Sequence, residues 1–134
     1  MTDIENIIIN RIDTALTNGG YENILGSTYK DVPASFPWVF FEQSDSYESV
    51  TQHNSSRKNN FDTVVFEADI YSKKKNGAKA ECKDIAQIID TEMVALGFSR
   101  TTETPLQPTS NLYNARLFVR YRGIVDSNKY IYHT

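Results

Sequence analysis

The chain has 134 residues and a formal net charge of −3, and 40% of its residues are hydrophobic. This length and composition predict one domain with a single core. The negative charge argues against a general nucleic-acid binder, which needs an excess of basic side chains to neutralise phosphates. Because Cys82 is the only cysteine, no intrachain disulfide can form. The acidic N-terminus does not resemble a signal peptide, and no apolar run is long enough to predict a membrane span.

Two segments have the apolar spacing of amphipathic helices. The first, residues 3–18, has a stripe of isoleucines at helical spacing, and the two glycines that follow predict its end. Thr2 and Glu5 at its start are spaced as in a capping box. The second helix, residues 78–96, has a longer apolar stripe, and the Gly-Phe pair after it predicts a glycine C-cap with Phe98 folded back on the helix.

Four segments predict β-strands, namely residues 36–42, 61–72, 112–125 and 130–132. Apolar and polar side chains alternate in the second and third of these, as in strands with one buried face. Pro37 has no amide hydrogen, so it is expected at a strand start or on a sheet edge. The segment between the second helix and the third strand contains two prolines and predicts a connection.

The order of these elements is α-β-β-α-β-β. Hairpin connections then predict a single α+β domain with an antiparallel or mixed sheet and two helices packed on one face. Residues 44–60 are almost wholly polar and bury too little apolar surface to offset their ordering entropy. Because loops of this length usually serve a function, we expect a long polar loop or hairpin arm there.

Residue types that support catalysis are few. His53 lies in the polar segment and His133 beside the C-terminus, where solvated histidines are expected. Cys82 lies on the apolar stripe of the second helix, where a thiol behaves as a small hydrophobic group. The sequence has no metal-ligand spacing and no glycine-rich phosphate loop. We therefore expect no catalytic residue, cofactor or metal, and the alternative is an enzyme that gathers His53 or Cys82 with carboxylates.

Three arginines share one face of the strand predicted at 112–125: Arg116, Arg120 and Arg122. Like charges this close repel unless acidic groups face them. Glu67 and Asp69, on one face of the strand 61–72, are possible partners inside the domain. The other interpretation is that a partner subunit supplies the acidic groups.

The stretch from 66 to 125 resembles a family of small proteins from long-tailed bacteriophages and from prophages of Gram-positive bacteria. The resemblance is carried by the strand FEADIYS, a turn of lysine, asparagine and glycine, the helix end MVALGF and the arginine-rich strand ARLFVRY. The family is the tail-terminator, or tail-completion, group, to which the phage lambda tail terminator belongs.

The resemblance implies a small α+β subunit of a homo-oligomeric, hexameric ring on the last layer of the tail tube. Such a ring stops tube polymerisation and provides the surface that joins the head. Its expected partners are the tail tube protein and the head-completion or neck proteins. DNA passes through the lumen of the ring without sequence-specific contacts, and no membrane is involved. The implied location is the virion tail or neck, after synthesis in the cytoplasm of the host bacterium.

Residues expected at the interfaces come from the polar segment and from the arginine face: Tyr47, Glu48, Arg57, Lys58, Arg116, Arg120 and Arg122. Two alternatives stay open at this point. The chain could be another neck or head–tail connector protein. It could also be a small binding module for nucleic acid or a ligand, with Phe118 and Tyr113 beside the arginines.

Overall fold

The computed structural model describes residues 4–22, 24–26, 36–48, 61–108, 113–126 and 131. Its helices and strands are α1 (Glu5–Asn18), β1 (Leu25–Gly26), β2 (Trp38–Glu48), β3 (Phe61–Ser72), α2 (Ala78–Ala95), β4 (Ser99–Leu106) and β5 (Ala115–Asp126). The predicted α+β class is confirmed, and both helices lie within two residues of their predicted bounds.

The five strands form one mixed sheet in the order β1-β2-β3-β5-β4. β1 runs parallel to β2, and the other neighbouring strands are antiparallel. α1 packs against β2 and α2, and α2 packs against β3, β5 and β4. Both helices therefore lie on the same face of the sheet, as predicted.

The core lies between the helices and this face, and it contains the apolar stripes that the sequence predicts. From the helices it takes Ile8, Ile12, Leu16, Cys82, Ile85, Ile89 and Met93, and from the strands it takes Val39, Phe41, Val64, Phe66, Ala68, Ile70, Leu117, Val119 and Tyr121. The strand residues are alternate positions of β2, β3 and β5, because successive side chains of a strand point to opposite faces.

Both helices end in the glycine-dependent hydrogen-bond pattern expected from the sequence. At the end of α2, Gly97 has φ +102°, and the Phe98 amide donates to the Met93 carbonyl over 2.9 Å. Phe98 is only 2% exposed, so the predicted fold-back onto the helix is confirmed. The same pattern ends α1, where the Tyr21 amide donates to the Leu16 carbonyl over 2.8 Å.

The start of α1 differs from the predicted capping box. Ile4 occupies the N-cap position and makes no side-chain capping bond. Glu5 instead accepts a hydrogen bond from the Gln43 amide of β2 at 2.8 Å, and the Ile4 amide donates to Gln43 Oε1 at 3.3 Å. The helix therefore begins two residues later than predicted, and Thr2, the other residue of the predicted box, lies outside the described residues.

The largest difference from the sequence-based prediction is β4. The proline-containing connection expected after α2 is instead a strand of eight residues that pairs with β5. Most of its side chains are exposed, so it lacks the apolar alternation that marks a strand in sequence. Pro105 fits because an edge strand accepts proline where its nitrogen faces away from the neighbouring strand. The two-residue β1 was also missed.

The polar segment and the last strand are only partly described. Residues 44–48 of the predicted loop or arm belong to β2, which runs antiparallel to β3 as far as the pair Glu48 and Asp62. Residues 49–60 lie outside the described residues. Of the strand expected at 130–132, the structure describes Ile131, which forms an isolated bridge with Val125.

Candidate functional site

The face of the sheet opposite the helices is the candidate functional surface, called here the open face. No described helix packs on it. Its central part carries the residues that alternate with the core positions: Trp38, Phe40, Glu42, Val65, Glu67, Asp69, Tyr71, Arg116, Phe118, Arg120 and Arg122. This mixture of aromatic and charged groups contrasts with the apolar core on the other face.

One end of the open face is a buried aromatic cluster. Phe40, Tyr71 and Tyr113 are at most 4% exposed. Tyr71 makes edge-to-face contacts with Tyr113 at 4.9 Å and with Phe40 at 5.9 Å between ring centroids. The indole of Trp38 continues the cluster onto β1, where a Cβ on Gly26 would lie 2.6 Å from its Cζ2. These contacts bury the rings of Phe40, Tyr71 and Tyr113, whereas Trp38 stays partly exposed.

Arg116 and Asp69 form a bidentate ion pair at the centre of the open face. Arg116 Nε lies 2.8 Å from Asp69 Oδ1, and Nη2 lies 2.6 Å from Oδ2. The guanidinium also stacks on Tyr71, whose hydroxyl donates to Asp69 Oδ2 at 3.3 Å. The side chain of Asp69 is 9% exposed and that of Arg116 is 19% exposed. For Arg116, therefore, the internal interpretation of the arginine face is confirmed.

An acidic groove lies beside this ion pair. Its volume is about 440 Å³, and its lining is Phe40, Glu42, Glu67, Asp69, Leu106, Arg116 and Phe118. Glu42 and Glu67 stand directly opposite each other on neighbouring strands. Burial raises the pKa of Glu42, and the charges of Glu67 and Glu5 raise it further. Because like charges at facing positions repel, this pair is unfavourable in the isolated subunit.

Arg120 and Arg122 form the basic end of the open face. Both are exposed, and within the described part of the chain neither guanidinium has an ion-pair partner. Arg120 lies opposite Glu67 on β3, whereas the opposite neighbours of Arg122 are Val65 and Ser99. The interpretation that a partner supplies the acidic groups therefore remains a prediction for these two arginines.

The other residues singled out in the sequence lie elsewhere. Tyr47 and Glu48, at the start of the polar segment, belong to β2. Four lie outside the described residues: His53, Arg57, Lys58 and His133. Sequence reasoning missed Glu42. Its signal was the alternation in residues 38–42, which places Trp38, Phe40 and Glu42 on one face of a strand.

Cys82 is 2% exposed, and its thiol faces the Ile70 carbonyl at 3.7 Å. Burial raises its pKa to about 12, with smaller contributions from the charges of Glu81 and Asp69. The group is therefore a protonated thiol at neutral pH. Since the thiolate is the nucleophile, this environment does not favour reactivity.

A second polar network joins the edge of the sheet to α2. The Tyr121 hydroxyl donates to Asp90 Oδ1 at 3.2 Å, and Arg100 lies 3.6 Å from the same oxygen and 3.7 Å from Glu103. Burial is the main reason that the pKa of Tyr121 is raised, and the nearby charge of Asp90 adds to it. This network satisfies a buried hydroxyl and fixes β4 against the helix.

Among the residues that the structure describes, no three histidine, cysteine, aspartate or glutamate side chains are grouped to hold a metal ion. The described helices are too short or too polar to cross a membrane. A scan of protein-family models found no match to this chain, and a search of curated proteins found none with significant sequence similarity.

Proposed function

We propose that this chain is a structural assembly protein rather than an enzyme, and that it is the tail terminator of a long-tailed bacteriophage. In this role several copies form a ring on the last layer of the tail tube. The ring stops tube polymerisation and offers the surface to which the head joins through neck proteins. The protein is made in the bacterial cytoplasm and ends in the virion.

The observation that carries the proposal is the charge arrangement of the open face. Arg120 and Arg122 are exposed cations without ion-pair partners in the described structure, while Glu42 and Glu67 repel each other nearby. Contact with a surface of complementary charge would pair the two arginines and reduce the repulsion between the two glutamates. A subunit that carries a basic and an acidic patch at different positions has what a head-to-tail ring contact requires.

The position of the resembling segment in the fold supports the same role. Residues 66–125 contain most of β3 and β5 and all of α2 and β4. These strands are neighbours in the sheet, and α2 packs on them. The resemblance therefore falls on one continuous structural unit, which includes Arg120, Arg122 and Glu67 of the open face.

The exposed edge of β4 is poorly suited to the alternative contact, in which the sheet continues into another subunit. Pro105 removes one amide donor from the strand. The register shifts between Arg100 and Thr102, and Arg100 and Glu103 place charges along the strand. Proline, irregularity and charge are the features by which edge strands avoid pairing with other chains. A contact through the open face is therefore favoured over edge pairing.

The alternative of a nucleic-acid or ligand module is less well supported. Arg116 is committed to Asp69, and Tyr113 is 4% exposed, so neither is free to contact bases. Glu42 and Glu67 beside the remaining arginines would repel phosphates. A platform for single strands instead combines a basic groove with accessible aromatic rings.

Native mass spectrometry of the purified chain tests the assembly role, and a closed oligomer is expected. Deletion of its gene from the encoding phage or prophage tests the terminator role. Because the ring stops polymerisation, we expect tail tubes of uncontrolled length in electron micrographs. Tails of normal length that lack heads would instead identify the chain as another neck protein. A chain that stays monomeric and is absent from isolated tails would contradict the proposal.

A further inference from the structure

We infer that the acidic groove of one subunit binds the side chain of Arg122 from a second copy of the chain. The inference rests on the proposed function and deepens it by naming the contact between subunits. It depends on charge complementarity between two parts of the open face.

The groove has the chemistry of a cation site with a defined shape. Glu42 and Glu67 line it with two carboxylates, and the partly buried ring of Phe118 adds aromatic surface. A guanidinium binds carboxylates through a planar fork of donors and stacks on aromatic rings, which a compact ammonium group does less well. The volume of about 440 Å³ leaves room for a long side chain.

Among the described residues no cation forms an ion pair with Glu42 or Glu67, although Arg120 lies opposite Glu67 on β5. The one cation among its described lining residues is Arg116, whose guanidinium forms two short hydrogen bonds with Asp69. Neither Glu42 nor Glu67 has a salt-bridge partner within the described ranges. An incoming guanidinium would therefore convert a repulsive pair of carboxylates into a pair bridged by a positive charge.

Arg122 is the best candidate among the three arginines of the open face. Arg116 is held by Asp69, and Arg120 already lies across from Glu67 in its own chain. Arg122 is exposed, and neither of its opposite neighbours carries a charge. Within the described residues its charge therefore has the least compensation of the three, and it has the most to gain from a second copy.

The donor and the acceptor are different sites on each subunit. Arg122 lies on β5 next to Val65 and Ser99, and the groove lies farther along the sheet between Glu42 on β2 and Leu106 on β4. One copy can therefore give its arginine to one neighbour and receive an arginine from another. Repetition of such a heterologous contact produces a closed ring or an open chain.

Charge reversal tests the contact directly. Arg122→Glu and Glu67→Arg are each compared with the double variant and with Lys75→Glu, a matched reversal at an exposed turn. Association is measured over a range of concentrations by sedimentation velocity and native mass spectrometry, and folding is checked by circular dichroism. We expect each single reversal to weaken association by about tenfold or more. The double variant should recover most of this loss, and the control should associate like the wild type.

The outcomes separate the contact from the proposed function. A wild-type chain that never associates overturns both. Normal association of Arg122→Glu, or a double variant as weak as the single ones, overturns the contact while a wild-type oligomer still supports the assembly role. If a reversal prevents folding, Arg122→Ala removes the charge alone and is expected to weaken association with the fold intact. Wild-type association of that variant also overturns the contact.

Discussion

The same strands present apolar side chains on one face of the sheet and charged and aromatic side chains on the other. On the helix-covered face, Phe66 is fully buried between Phe41 and Phe98, at centroid distances of 5.4 Å and 5.5 Å. On the open face, the neighbouring positions Glu67 and Arg120 are charged and are accessible to solvent. Adjacent residues of a strand therefore lie on opposite faces, one in the core and the next on the candidate contact surface.

The open face is itself divided. Its aromatic end and the Arg116–Asp69 pair have partners within the subunit, whereas Glu42, Glu67, Arg120 and Arg122 have no salt-bridge partners in the described residues. Partnered charges contribute to the fold, and unpartnered charges are available for contacts. This difference shows that three arginines on one strand face can have separate roles, which the sequence pattern alone does not distinguish.

The largest difference between the faces should appear when a phenylalanine is removed from each. Phe66→Ala opens a cavity in the core and is expected to lower the free energy of unfolding by about 3–5 kcal/mol. Phe118→Ala, on the adjacent strand and the open face, should cost about 1 kcal/mol because Phe118 is only partly buried. Urea denaturation followed by circular dichroism measures both values. Equal losses would show that the open face is as tightly packed as the core.

Removing one partner of the ion pair at the centre of the open face should lower the free energy of unfolding more than replacing both partners. Arg116→Met leaves the carboxylate of Asp69 nearly buried and is expected to cost about 2–3 kcal/mol. The double variant Asp69→Val with Arg116→Met should regain much of that loss, although the Tyr71 hydroxyl still loses its acceptor. Thermal and urea unfolding of the three proteins provide the comparison. A double variant no more stable than Arg116→Met would show that the pair adds stability of its own.

Two glycines offer a matched test of how much each face tolerates an added methyl group. A Cβ on Gly123 would lie 2.6 Å from Cδ1 of the buried Phe98, and a Cβ on Gly26 would lie 2.6 Å from Cζ2 of the half-buried Trp38. We expect Gly123→Ala to cost about 1–3 kcal/mol, because Phe98 has no room to move. Gly26→Ala should cost less, since the indole can shift toward solvent. If Gly26→Ala lowers the melting temperature more than Gly123→Ala does, the tighter packing is on the open face.

The smallest predicted effect concerns the two facing glutamates. Because the charge of Glu67 helps to raise the pKa of Glu42, Glu67→Gln should lower that pKa, as measured by NMR titration. A carboxyl group whose pKa is raised on folding favours the fold when protonated and loses that contribution as the pH rises through its folded pKa. At neutral pH the relieved repulsion is worth about 0.2–0.5 kcal/mol, and the lost attraction between Glu67 and Arg120 opposes it, so the net gain in stability should be smaller than this and should vanish near pH 3.

Asp13→Asn is a matched control for this titration, because Asp13 is an exposed carboxylate on α1. It should leave the pKa of Glu42 unchanged. An equal shift in both variants would mean that the titration reports overall charge rather than the facing pair.

The sequence alone determined the helices, two of the long strands and the side of each strand that is buried. These features depend on local patterns: apolar spacing in α1 and α2, the glycines that end them, and period-two alternation in β3 and β5. The alternation in β3 and β5 also placed Glu67, Asp69 and the three arginines on one surface. The resemblance to tail terminators likewise came from sequence, and it remains a proposal that assembly measurements can test.

The tertiary structure alone decided β4, the start of α1 and the separate roles of the arginines. β4 forms because β5 offers a backbone edge, a nonlocal condition that no side-chain pattern in residues 99–106 reveals. The Glu5 carboxylate accepts a hydrogen bond from the Gln43 amide because the fold places the two side by side. Arg116 pairs with Asp69 while Arg122 does not, because strand register sets which side chains face each other, and register is a property of the assembled sheet.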